Sequence, residues 1–261
     1  MTGTLAYAVA NGIARLTITQ PDRLNAMTLA MWQAVPELVA RAEADPQVRL
    51  LALAGAGTAA FCAGADISRF WAERSGAAAV KAYDADVARA ETALAQASKP
   101  TLALVRGICF GGGIGLALAC DLRLADTAAR FRIPAARLGI GYAPQGVARC
   151  VRRLGLAATA ELLFTARIFS ADEALAQGLV SRIFANDSFG AQSAEYLAMI
   201  VQNAPLSLRA ANATLTELEK PEAQRDFSRA EAMVAACYDS ADYAEGQQAF
   251  LDKRPPQFTG R

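Results

Sequence analysis

Twice in the first half of the chain, an apolar run of strand length closes on a turn rich in glycine. Val48 to Ala54 leads into a loop holding Gly55, Gly57 and Gly64, and Thr101 to Arg106 leads into Gly111-Gly112-Gly113. Runs without a polar face imply strands buried on both sides, and such strands need a covering layer above and below the sheet. Val80, Tyr83, Val87, Ala90 and Leu94 recur at helical spacing and predict one covering helix, which Pro100 stops. The apolar stretch Ile114 to Cys120 predicts another. Asp121 to Ala125 and Phe131 to Ile133 read as further strands. Strand and helix alternate, so the fold class is α/β.

The two ends of the chain read differently. Residues 5–19 predict a hairpin turning at Asn11-Gly12, and Pro21-Asp22 ends it. Met31, Val35, Leu38, Val39 and Ala42 follow helical spacing behind Thr28, a candidate N-cap. Pro36 lies inside that pattern and is expected to kink or divide the helix. From Gln145 onward the pattern is almost wholly helical. Ser170-Ala171-Asp172-Glu173 matches a capping box, and Pro205 suits a first helical turn. The expected organisation is a core over residues 1–200 and a helical region over 201–261 that serves oligomerisation.

Composition narrows the chemistry. The 261 residues include no histidine. That excludes Ser-His-Asp and Cys-His nucleophile arrangements and any His-ligated metal site, and no metal is expected. Lys plus Arg number 26 and Asp plus Glu 25, a net charge of +1 that gives no reason to expect nucleic acid or an anionic membrane as partner. No apolar run approaches the ~20 residues of a spanning helix. No secretory signal is visible in the sequence, and a cytoplasmic protein is expected. Cys62, Cys109, Cys120, Cys150 and Cys237 are odd in number and widely spaced, and read as free thiols.

Two segments can carry chemistry. Phe61-Cys62-Ala63-Gly64-Ala65-Asp66-Ile67 follows a buried strand, and its small residues let a ligand approach the backbone. Gly107 to Gly115 joins a strand to a helix, so its N–H groups gather at a helix N-terminus, where negative charge is stabilised. No Gly-Lys-Ser/Thr follows, and Leu116 stands where a dinucleotide-binding turn has its third glycine. One donor from each turn would form an oxyanion hole for a carbonyl becoming an enolate or a tetrahedral anion.

These two turns resemble the crotonase (enoyl-CoA hydratase/isomerase) superfamily. So do Arg23-Leu24-Asn25-Ala26-Met27, Cys120-Asp121-Leu122-Arg123 and the ending Glu245 to Arg254. The resemblance implies a spiral of ββα units with a C-terminal helical region, and a homotrimer or dimer of trimers. It implies an acyl-CoA thioester as ligand, coenzyme A being part of the substrate, with no separate cofactor. By position, Ala63 and Gly112 would hold the thioester oxygen. Arg23, Leu24, Ala26, Gly64, Ala65, Asp66 and Ile67 would line the coenzyme A site, and Phe250 and Lys253 would approach its nucleotide end. Asp66 and Asp121 also fit as caps for backbone N–H groups.

The sequence departs from the family at two positions. Hydratases of the superfamily carry one glutamate just after the glycine turn and another after the proline of Phe-x-x-Pro. Here those positions are Gly115 and Ala135. A positioned acid or base contributes ~10²–10⁴-fold, so the pair matters to hydration. Enolate stabilisation alone still suits other reactions. Tyr142, in a stretch resembling methylmalonyl-CoA decarboxylases, either orients a carboxylate and relays a proton or packs on the helix that follows. Gln145 is a further hydrogen-bonding candidate. Glu73 and Asp84 are either replacement carboxylates or part of a solvated helix face, and Phe70 and Trp71 either shape an acyl pocket or pack. Three readings follow: an enoyl-CoA hydratase/isomerase-type enzyme, a malonyl-type decarboxylase using Tyr142, and a silent acyl-CoA binder.

Overall fold

The Asn11-Gly12 turn forms as expected. Both residues take positive φ, 51° and 76°, and they join β1 (Thr4–Ala10) to β2 (Ile13–Thr19). A computed structural model describes residues 3–66 and 75–261. Behind the hairpin, Thr28 caps α1 (Leu29–Ala44), its hydroxyl accepting from the Met31 N–H at 3.3 Å. Pro36 does not divide this helix. Met31, Trp32 and Val35 before it and Val39 and Ala42 after it are all buried in the same core. That shared burial outweighs the one backbone hydrogen bond that proline removes.

Three strand pairs follow, each splitting between two sheets. They are β3 (Leu50–Gly55) with β4 (Ala60–Cys62), β5 (Thr101–Val105) with β6 (Ile108–Phe110), and β7 (Leu122–Asp126) with β8 (Arg130–Arg132). First members enter a six-stranded sheet, order β1-β2-β3-β5-β7-β10, closed by β10 (Arg182–Phe184). Second members enter a four-stranded sheet, order β4-β6-β8-β9, closed by β9 (Phe169–Ser170). Pairing from β2 through β10 is parallel, as is β4-β6-β8.

After each pair the chain returns through a helix. These are α2 (Ala77–Ala95), α3 (Gly112–Ala119) and α4 (Pro144–Thr165), the last broken at Gly155. This is the ββα spiral that the sequence implied. Strands β9 and β10, two and three residues long, interrupt the region read as almost wholly helical. They add edges to the two sheets and are too short to show a period of their own. The remaining helices are α5 (Ala171–Ala176), α6 (Phe189–Val201), α7 (Pro205–Leu218), α8 (Ser228–Tyr238) and α9 (Ala241–Leu251). The capping box is present: the Ser170 hydroxyl accepts from the Glu173 N–H, and the Glu173 carboxylate accepts from the Ser170 N–H.

The main core lies between the sheets and helices α1 to α4, with Trp32, Tyr83, Phe61, Phe131 and Phe169 as its largest members. All five cysteines are free thiols, and four are buried. Among the described residues no helix is long and apolar enough to cross a membrane. No group of metal-ligating side chains is present among them either.

Candidate active site

The turn after β4 is stitched to the loop before α1. The Met27 N–H donates to the Gly64 carbonyl at 2.7 Å, and the Asp66 N–H donates to the Met27 carbonyl at 3.0 Å. Asn25 locks the same loop. Its side-chain amide donates to the carbonyls of Ala56 and Ala60, while its oxygen accepts from the Gln20 N–H. The Gln20 amide in turn bridges the Ala26 carbonyl and the Asp66 carboxylate. Arg23, Leu24 and Ala26 are thereby held beside Ala63, Gly64, Ala65 and Asp66. Ile67 lies outside the described residues, as do Arg69, Phe70, Trp71, Glu73 and Arg74.

One expected role changes in this arrangement. The Ala63 N–H donates to the Leu24 carbonyl at 3.0 Å, so it is already committed and is not free for a thioester oxygen. Two residues on, Ala65 forms a parallel bridge with Met27. The bridge is made by the groups flanking Ala65, the Gly64 carbonyl and the Asp66 N–H. Ala65's own N–H therefore faces the opposite way, toward the second glycine turn. Among the described residues it has no hydrogen-bond partner. Nor has the N–H of Gly112, the first residue of α3, where no intrahelical acceptor exists.

The two turns touch. Gly64 sits at φ 97°, and a Cβ there would lie 3.0 Å from the Phe110 carbonyl and 3.3 Å from the Gly112 nitrogen. A Cβ on Gly112 would lie 3.9 Å from the Ala65 nitrogen and 3.0 Å from the Trp32 ring. Glycine at 64 lets the turns approach, and at 112 it leaves room for the Trp32 ring. Trp32 forms the floor here, its indole N–H donating to the Tyr83 hydroxyl at 2.9 Å.

One helical turn beyond Gly112 stands Gly115. A Cβ on Gly115 would fall inside the contact radius of Glu91 Oε1 and 3.0 Å from Glu91 Cδ. Glu91 reaches in from α2. A carboxylate therefore occupies the space beside Gly115 after all, from a neighbouring helix. Its Oε2 accepts from Arg149 of α4 at 2.5 Å, and both side chains are largely buried. Burial raises the Glu91 pKa above the usual carboxylate range, and Arg149 offsets part of that rise.

Tyr142 lies close to this pair, half-buried and packed on the core. Burial pushes its phenol pKa well up, and the negative charge of Glu91 adds to the rise. Burial also pushes the neighbouring Cys150 thiol up to about 11. Gln145 is exposed in the first turn of α4, and Asp84 is half-buried on α2. Asp121 accepts from the backbone and hydroxyl of Thr101, a capping role at the start of β5. Phe250 is exposed on α9, and Lys253 follows that helix. The groove that Phe250 lines is walled by α7, α8, α9 and Phe258, and by none of Arg23, Leu24 or Ala26.

Sequence reasoning missed Glu91. A signal existed: it lies four residues after Val87 and three before Leu94, on the apolar stripe of its helix. A charge on a buried stripe needs a partner or a task.

Paired strands split between two sheets, with glycine turns opening onto one site, define the crotonase class of proteins. Comparison with known proteins agrees. The enoyl-CoA hydratase/isomerase family matches residues 8–261, and the chain belongs to that family. It is 30% identical to a crotonyl-CoA hydratase of Syntrophomonas wolfei over 95% of each chain. It is also 30% identical to a carnitinyl-CoA dehydratase of Proteus mirabilis over the full length of both. The structure of an enoyl-CoA hydratase/carnitine racemase from Magnetospirillum magneticum superposes with a TM-score of 0.92 at 36% identity, covering 98% of this chain and 96% of that one. An enoyl-CoA hydratase structure from Bacillus anthracis gives 0.88 at 27% identity, covering 98% and 99%.

Proposed function

We propose that the protein is an enzyme that binds an acyl-CoA thioester and stabilises its enolate between the N–H groups of Ala65 and Gly112. The observation that carries this is the pair of unpartnered backbone donors on touching turns, one of them at a helix N-terminus. Such a donor is typically worth ~10²–10³-fold in rate. Family membership and the relatives named above support a CoA thioester as the ligand. Arg23, Leu24, Ala26, Gly64 and Asp66 surround the turn along which the pantetheine would run. Phe250 and Lys253 belong to the nucleotide end in a homotrimer or dimer of trimers, where another subunit supplies them.

The decarboxylase reading built on Tyr142 gains less from the geometry. The phenol's neighbour is a carboxylate, which repels the free carboxylate of a malonyl-type thioester.

The test is the carbonyl frequency of bound butyryl-CoA, labelled with ¹³C at the thioester carbon and read by difference infrared spectroscopy. Binding with a lowered frequency is expected, as is loss of the shift in Gly64→Val, where the new side chain is strained and pushes the turns apart. Binding with an unshifted carbonyl would refute the oxyanion hole and identify a silent binder.

A further inference from the structure

The carboxylate beside Gly115 is placed to do more than fill space. We propose that Glu91 transfers a proton to and from the α-carbon of the bound acyl-CoA. The proposal rests on the oxyanion hole described above.

Position is the first argument. Gly112 and Gly115 lie on one face of α3, about 4.5 Å apart along its axis. An α-carbon is two bonds from the thioester oxygen held at Gly112. Glu91 Oε1 lies against Gly115, on the same side of the helix start. The second argument is division of labour within the carboxylate. Arg149 takes Oε2, and Oε1 has no hydrogen-bond partner among the described residues. One oxygen is anchored and the other is available. Third, glycine at 115 leaves room for this carboxylate; a Cβ there would force it to shift. Fourth, the chain has no imidazole to do the same work.

The charge environment suits the task. Among the described residues, the titratable groups facing the carboxylate are Arg149, Tyr142 and Cys150. Tyr142 and Cys150 both have raised pKa values and are neutral at pH 7. Among the described residues, Arg149 is the cation paired with it. Desolvation brings the carboxyl nearer to neutrality, where acid and base forms are both accessible.

The step balances without a further reactant. Glu91 Oε1 takes the α-proton; the C–H bond breaks and an O–H bond forms. The released electron pair makes the bond between Cα and the carbonyl carbon, and the thioester oxygen becomes the anion held by Ala65 and Gly112. Reversal returns the proton to the same carbon, or to the γ-carbon where a β,γ double bond extends the enolate. One carboxylate suffices for either route, and neither adds water.

The experiment incubates wild-type protein with butyryl-CoA in D₂O and follows α-deuterium by mass spectrometry. Calorimetry measures affinity for the same ligand. Wild type is expected to exchange, and Glu91→Gln to lose ~10²-fold or more while still binding. Combining Glu91→Ala with Gly115→Glu returns a carboxylate to the space from α3, and exchange is expected to recover at least tenfold over Glu91→Ala alone. A merely structural Glu91 would give no such rescue. Should Glu91→Gln fail to fold, Gly115→Ala gives the same readout, because its methyl displaces the carboxylate. Undiminished exchange in a binding Glu91→Gln protein overturns the proposal. So does a wild type that binds with a shifted carbonyl and does not exchange. A wild type with an unshifted carbonyl removes the oxyanion hole and this step with it.

Discussion

Replacing Arg149 with methionine should cost the fold far more than loss of a surface charge. The Arg149 and Glu91 side chains are 12% and 8% exposed, and Arg149 is the cation nearest to Glu91. Exposed ion pairs are typically worth ~0–1 kcal/mol. Breaking a buried pair by removing one partner costs about 3–5 kcal/mol, because the other charge is left without compensation. The larger range applies here. For a chain of this size it corresponds to a fall in Tm of roughly 6–20 °C.

The penalty also has a pH signature. Burial already holds the folded pKa of Glu91 above the usual carboxylate range. Without Arg149 that pKa climbs further. Between the unfolded and folded values, the folded state keeps a proton that the unfolded state has released, so stability falls as pH rises. The loss in Arg149→Met is therefore expected to be greater at pH 8 than at pH 5, because a protonated carboxyl needs no cation beside it. Urea unfolding of wild type and variant at both pH values, at one protomer concentration, measures it. A loss under about 1 kcal/mol, or one that does not change with pH, would refute the reasoning.

Two further predictions concern the scaffold. Lys99 is 1% exposed, and its ammonium donates to the carbonyls of Ala42 and Asp45, both at 2.7 Å, at the end of α1. Lys99→Met is expected to destabilise by about 1–3 kcal/mol in urea unfolding, and an unchanged midpoint would show that water serves those carbonyls equally well. Ser170→Ala removes the capping box of the six-residue α5 and should cost about 0.5–2 kcal/mol. Faster amide hydrogen exchange should be confined to that helix, and loss of protection throughout the chain would contradict a local cap.

Local chemistry made much of the fold legible. Asn11-Gly12, Thr28, Ser170 with Glu173, and Pro205 each act through neighbours within a few residues, so their roles can be read from adjacent letters. Division into two sheets was not readable in this way. Strands β4, β6 and β8 have three residues each and acquire their identity only by pairing with one another. The choice between Ala63 and Ala65 is a case of the same kind. Both are alanines flanking Gly64, and what separates them is a carbonyl at Leu24 and a bridge at Met27, about forty residues earlier. The Glu91 carboxylate came from a helix whose stripe looked like ordinary core, and only the packing of α2 on α3 shows where it points. Pro36 shows the reverse: a strong local rule that burial on both sides overrode.

The contact between Glu91 and Gly115 also bears on how such a chain can diverge. Any side chain arriving at 115 would meet the carboxylate already present, and any shortening at 91 would empty the space. A change at either position alone is therefore expected to carry a cost that a change at the other can offset. Where one descendant keeps glycine at 115, it should keep the acid at 91; where another acquires an acid at 115, a smaller residue should stand at 91. Passage between the two states is then easiest when both positions change together.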